Sequence, residues 1–230
     1  MSFYETDRVL IIGANSLISR ALVQRIKPYT SKITLVSRLP IEDIDSESED
    51  YIALNLEDID SVSNLFQNLQ ESHFDYVYIL AGAASKLDIS SSSLEETQDY
   101  YRTYGASLNY LIGRIQTHLS DSATMIFVSS RAAHRPSYDA HYSAIKASTE
   151  AFIMSIANRF PGRRLLVLAP SLIEETKMFN DMLQENIKLH RERTFNSLLT
   201  IEEVVESILE ISFERDKFLS GSTTYIGRDW

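Results

Sequence analysis

Seven short apolar runs rich in β-branched residues, at 9–12, 33–36, 51–54, 76–80, 125–128, 165–168 and 223–226, alternate along the chain with stretches of helical spacing. The runs are apolar throughout instead of alternating with polar residues, as strands covered by helices on both faces must be. The chain is therefore expected to be α/β, a doubly wound parallel sheet of Rossmann-like type. Helices are predicted at 16–26, 60–71, 94–119, 142–160 and 201–213. Ser93 with Glu96 and Thr200 with Glu203 have the spacing of reciprocal N-terminal caps, and Pro161-Gly162 stops the fourth helix. No linker and no repeat beyond the βα alternation interrupts the 230 residues, so a single domain over 1–230 is expected.

Composition narrows the chemistry. With 22 Lys plus Arg against 32 Asp plus Glu, the net charge of −10 repels nucleic acid and anionic membranes, and no basic run offsets it. No apolar stretch approaches a membrane span, and residues 2–8 are too polar for a secretion signal, so a cytoplasmic protein is expected. The absence of cysteine excludes disulfides, thiolate metal sites and cysteine nucleophiles, and the five histidines lack metal-site spacing. His134 and His141 have no matched carboxylate, so no metal site is expected. An organic cofactor is the likelier reagent for an enzyme of this composition. Residues 42–50 carry six carboxylates and read as a solvated loop or a shortened helix. The four serines 90–93 read as the end of a loop that caps the next helix.

Two segments carry chemistry. Gly13-Ala14-Asn15-Ser16-Leu17-Ile18-Ser19 follows the first strand, where a doubly wound fold points a helix N-terminus at a phosphate, though it holds one glycine where a full phosphate-binding loop has three. After the fifth strand come Ser129-Ser130, then Tyr142-Ser143-Ala144-Ile145-Lys146. Tyr142 and Lys146 are one helical turn apart on one face, and an adjacent ammonium would stabilise the phenolate and tune the phenol as an acid. A serine hydroxyl at the strand end could hold a carbonyl oxygen while the phenol protonates it. Tyr-x-x-x-Lys alone is expected about 0.4 times by chance in this composition, so its position carries the weight.

These segments resemble the short-chain dehydrogenase/reductase family over nearly the whole chain. Gly13 to Ser19 stand in place of its T-G-x-x-x-G-x-G loop, Leu80-Ala81-Gly82 of its N-A-G motif, Tyr142 to Lys146 of its Y-x-x-x-K, and Pro170 to Met178 of its P-G…T-x-M segment, with one extra residue before Thr176. Leu219-Ser220-Gly221 and 223–226 are similar to its last strand. The resemblance implies an oxidoreductase that moves hydride between a nicotinamide and a carbonyl or alcohol of a small-molecule substrate. It makes Tyr142 the acid/base, Lys146 its partner and the holder of the nicotinamide ribose, and Ser130, ahead of Ser129, the group that orients the carbonyl. The cofactor would be held by Gly13, Asn15, Ser16, Leu17, Ile18, Ser37, Arg38, Asn55, Leu56, Ala81, Gly82, Tyr142, Lys146, Pro170, Ile173 and Thr176. Arg38 after the second strand suits a 2′-phosphate, which favours NADP(H) over NAD(H); a solvated arginine is the alternative.

Leu17 and Ser19 depart from the family's glycines, and Tyr104 stands where its helical asparagine supports a proton relay, with Asn109 more than a turn away. A catalytically degenerate member acting as a nucleotide-binding sensor or scaffold is the second reading. A hydrolase is a distant third, because the first loop lacks the second glycine of a nucleophile elbow. Arg131, His134, Arg135 and His141, with Lys188, His190, Arg191 and Arg193 in the substrate-covering segment at about 174–196, favour an anionic substrate such as a phosphorylated compound or nucleotide sugar. Exposed charges partnered by Asp139 and Glu192 would explain them equally. Ala144, Ala147, Ser148, Ala151 and Ser155 are small enough to admit a second helix or to pack within the core. The resemblance implies a homodimer or homotetramer through that helix.

Overall fold

A computed structural model describes residues 7–42, 44–69, 73–194 and 197–227. Asp43 of the acidic run, Glu71 at the end of a predicted helix, Asn196 and the side chain of Arg193 lie outside the described residues.

The strands β1 (Arg8–Ile12), β2 (Lys32–Ser37), β3 (Glu49–Ala53), β4 (Phe74–Ile79), β5 (Leu119–Val128), β6 (Arg164–Pro170) and β7 (Thr223–Ile226) form one sheet in the order β3-β2-β1-β4-β5-β6-β7. Every pairing is parallel, from Ile33↔Glu49 at one edge to Pro170↔Ile226 at the other. The helices are α1 (Leu17–Ile26), α2 (Ile59–Leu69), α3 (Leu94–Tyr101), α4 (Leu108–Ile115), α5 (Ala140–Ala157), α6 (Lys177–Asn180), α7 (Gln184–Arg193) and α8 (Ile201–Phe213).

Strand pleating divides the core in two. In β1, Leu10 and Ile12 join the layer under α2, α4 and α5, with Val62, Leu65, Leu111, Ile112 and Ile153. Val9 and Ile11 face the other way and meet Leu22 and Ile26 of α1 and Val204, Val205, Ile208 and Ile211 of α8. Both faces are dry, which is why these strands read as unbroken apolar runs. Each such side chain removed from water contributes roughly 1.5 to 3 kcal/mol. Both reciprocal caps form: Ser93 with Glu96 begins α3, and Thr200 with Glu203 begins α8.

Strand order reverses between β1 and β4, and the crevice above that point lies beside the turns after both strands. Gly13 there has φ +90, and a Cβ on it would lie 2.6 Å from the Ala81 backbone nitrogen. Gly82, after β4, leaves room for the Lys146 ammonium, which would lie 3.0 Å from a Cβ there.

Three expectations are corrected. The helix predicted over 94–119 is broken: a π-helical turn, Arg102–Ser107, separates α3 from α4, and a 3₁₀ turn, Gln116–His118, closes α4. The acidic run is not all solvated loop. Glu49 opens β3, buried, with Lys27 Nζ 2.9 Å from its carboxylate. The helix predicted over 142–160 is α5, which starts two residues earlier because Asp139 accepts the Tyr142 N–H and caps it.

Candidate active site

The end of β5 and the face of α5 bring the proposed trio together. The Ser130 hydroxyl accepts the Ala132 N–H at 3.2 Å and lies beside the Tyr142 phenol, whose pKa it acts to hold down. The Lys146 ammonium lies 5.7 Å from the centre of the Tyr142 ring and 4.6 Å from that of Phe127, and donates to the Val128 carbonyl at 2.9 Å. Ser129 points away: it is buried and donates to Glu150. The two serines thus have separate partners, and Ser130 is the one at Tyr142.

Asp139, which the sequence suggested only as a charge partner, organises this corner. It accepts the Tyr142 N–H at 2.9 Å, the Ser85 N–H at 2.7 Å and the Ser85 hydroxyl at 2.5 Å, tying the start of α5 to the loop after β4. An aspartate just before an apolar helical run is the signal that could have found this cap.

Burial pushes the Tyr142 phenol up to about 12, opposed by the neighbouring Ser130 hydroxyl and helped by the Asp139 charge. Burial lowers Lys146 to about 8, with Glu150 opposing. Desolvation dominates at the phenol, and the ammonium is turned to the Val128 carbonyl. Such a phenol is fully protonated near neutrality and is a proton donor.

A cavity of about 680 Å³ runs from Asn15, Ser16, Leu17 and Ile18 at the α1 N-terminus past Gly82, Ser130, Tyr142 and Lys146 to Pro170, Ile173 and Thr176. Gly13 and Ala81 lie behind it, packed on one another. Ser37, the last residue of β2, does not line it, nor do Arg38, Asn55 and Leu56, which stand beyond the ends of β2 and β3. Arg38 lies 3.5 Å from Glu57, both largely exposed; Ser37 Oγ donates to the Leu39 carbonyl, and Asn55 Oδ1 accepts from the Glu57 N–H. Asn15 Nδ2 donates to the Leu39 carbonyl at 2.8 Å, and Thr176 caps α6. Tyr104 lies in the π-helical turn, where Arg38 and Glu57 act on it.

The two departures in the first turn differ in kind. Ser19 is wholly buried and bonds the Gly13 carbonyl at 2.9 Å and the Ser16 hydroxyl at 2.7 Å, so its side chain turns into the helix start. Leu17 is about half exposed and lines the cavity.

Of the basic residues near the site, Arg131, Arg135 and His190 line the cavity, as do Lys86 and Lys177, both paired with Asp181. The others have partners elsewhere: His134 with Glu150, His141 beside Tyr101, Arg191 with Glu174 and Lys188 with Glu192. Leu172 and, in the covering segment, Met178, Met182 and Leu183 add apolar lining. Among the described residues no cluster of three or more metal-ligating side chains occurs, and no helix is long and apolar enough to cross a membrane.

Residues 37–227 match the family described as enoyl-(acyl carrier protein) reductase. A Brucella melitensis short-chain dehydrogenase/reductase, described as a glucose/ribitol dehydrogenase, has a TM-score of 0.85 at 19% identity, covering 98% of this chain and 97% of that one. A short-chain dehydrogenase family protein from Francisella tularensis has a TM-score of 0.81 at 17% identity, with coverage of 96% and 97%. A Burkholderia cenocepacia protein described as a dehydrogenase, with bound NADP, has a TM-score of 0.82 at 15% identity, with coverage of 99% and 94%. No curated protein matches the chain. The seven-stranded parallel sheet and the match over residues 37–227 identify this chain as a member of the short-chain dehydrogenase/reductase family.

Proposed function

We propose that the protein is an NADP(H)-dependent oxidoreductase acting on the carbonyl or alcohol of an anionic small molecule. The observation that carries the reading is the meeting of Ser130, Tyr142 and the buried Lys146 on one cavity that begins at a helix N-terminus. The residues present fit a nicotinamide dinucleotide. The N-terminus of the ten-residue α1 opens on the cavity at Ser16, Leu17 and Ile18 and suits a pyrophosphate, and Gly82 keeps the space beside Lys146 clear. Pro170, Ile173 and Thr176 would flank the nicotinamide, and the exposed Arg38 would take a 2′-phosphate. The cofactor, when bound, supplies or accepts the hydride. Ser130 holds the substrate oxygen, and Tyr142 gives it a proton during reduction or removes one during oxidation. Lys146 places a positive charge next to the phenolate that this leaves.

Arg131 and Arg135, which line the cavity together with the apolar covering segment, favour a substrate with an anionic group. The testing experiment is calorimetric titration of the purified protein with NADPH and NADH, followed by a carbonyl panel. NADPH should bind more tightly, with Arg38→Ala weakening it about tenfold and leaving NADH nearly unchanged. Anionic carbonyl compounds should turn over faster than neutral analogues. A folded protein that binds neither cofactor overturns the reading and favours a scaffold, for which Leu17 in the cavity is the observation.

The protein is also proposed to self-associate. Ala144, Ser148, Ala151 and Ser155 form an exposed stripe on α5, with Tyr101 and Tyr110 exposed on α3 and α4. Ala151→Arg should convert a dimer or tetramer to smaller species in sedimentation; a monomeric parent protein would refute it.

A further inference from the structure

Three consecutive residues at the end of β5 each meet α5, at positions four apart. The Val128 carbonyl accepts from Lys146, the Ser129 hydroxyl donates to Glu150, and the Ser130 hydroxyl lies beside the Tyr142 phenol. Two of these contacts serve the proposed chemistry directly. The third is made by a carboxylate only 1% exposed, a costly group to bury without partners. Glu150 has them from three elements: Ser129 from β5, His134 Nε2 at 2.7 Å from the turn after it, and Thr223 Oγ1 at 3.2 Å from β7.

We propose that Glu150 is a positioning residue for the Ser130, Tyr142 and Lys146 trio, fixing the end of β5 against α5 and supplying the negative charge that faces Lys146. The proposal rests on the oxidoreductase reading above. Through Ser129, Glu150 sets the register in which the next residue, Ser130, meets Tyr142. Along the helix it lies one turn beyond Lys146, and its charge opposes the loss of the Lys146 proton on burial. Among the described residues, the titratable groups around Lys146 are Tyr142 and Glu150, both on its own helix; β5 offers the Phe127 ring and the Val128 carbonyl, and the turn after β4 offers Gly82. Around Glu150 they are Lys146, His134 and, on β7, Tyr225, whose phenol Glu150 helps to raise.

The test uses full-length protein labelled with 13C-lysine, in which the Lys146 signal, assigned with Lys146→Met, is titrated by NMR, with turnover measured on the same samples. Glu150→Gln keeps the shape and removes the charge. It should lower the Lys146 midpoint by about one pH unit, and the alkaline limb of kcat/KM should move down with it. Ser129→Ala keeps the charge and cuts the tie to β5. It should leave the midpoint in place and lower kcat by about ten- to a hundredfold, with KM within about twofold. An unmoved midpoint in folded Glu150→Gln overturns the electrostatic part, and an unchanged kcat in Ser129→Ala overturns the positioning part, including where Glu150→Gln does not fold. Absence of turnover in the parent protein sinks the oxidoreductase reading instead, and the NMR midpoints still decide whether Glu150 governs Lys146.

Discussion

Replacement of Tyr142 by phenylalanine should lower kcat for carbonyl reduction by about a thousandfold or more while leaving the Kd for NADPH within about twofold. The phenol is the group held beside Ser130 that carries a proton across the whole neutral range, since burial raises it to about 12. Lys146, lowered to about 8, is already bonded to the Val128 carbonyl. Phenylalanine keeps the ring and its packing and removes only the hydroxyl, a change worth about 1 kcal/mol of stability at most, too little to unfold the chain. Ser130→Ala should cost about a hundredfold, because it removes one donor to the developing charge and leaves the acid in place. Stopped-flow oxidation of NADPH, with calorimetry of the same samples, separates the chemical step from binding. Full turnover by Tyr142→Phe would remove Tyr142 from the mechanism.

The sheet was legible in the sequence because both of its faces are covered, so each strand had to be apolar throughout. The core alternation of Leu10 and Ile12 against Val9 and Ile11 required no tertiary information beyond that. The break in the third predicted helix was not legible from periodicity, because a π-helical turn inserts into a helical pattern without ending it. Gly105 within that turn is its one sequence sign. At the site, Ser130, Tyr142 and Lys146 were readable because they lie four apart on a helix or at a strand end. Glu150 was not: its partners Ser129, His134 and Thr223 come from three separate places in the chain and meet only in the fold. The charge pattern was half readable. Sequence proximity placed Arg131, His134 and Arg135 together, yet His134 turns to a buried carboxylate while the two arginines line the cavity.

The largest expected loss of stability comes from Gly13, and its cause bears on how the first turn diverged. Gly13 has φ +90, a conformation that costs a side-chain-bearing residue about 1 to 3 kcal/mol, and its added Cβ would lie 2.6 Å from the Ala81 nitrogen and 2.8 Å from the Leu80 carbonyl carbon. Both are backbone atoms at the end of β4, so relief requires moving β1 away from its central neighbour. Gly13→Ala should therefore destabilise the protein by about 3 kcal/mol or more, a fall in Tm of roughly 6 to 12 °C, with or without cofactor. The glycine that remains is thus the one that strand packing demands. At the other two loop positions the fold accepts a side chain: Ser19 bonds the Gly13 carbonyl and the Ser16 hydroxyl, and Leu17 projects into the cavity. Leu17→Gly should lose only about 1 kcal/mol of helix stability while tightening NADPH binding, since it clears the helix N-terminus. Thermal melts and calorimetry on the two variants test the distinction directly. If Gly13→Ala melts like the parent protein, the contact between the β1 and β4 turns does not control this turn, and the loss of the other two glycines requires a different cause.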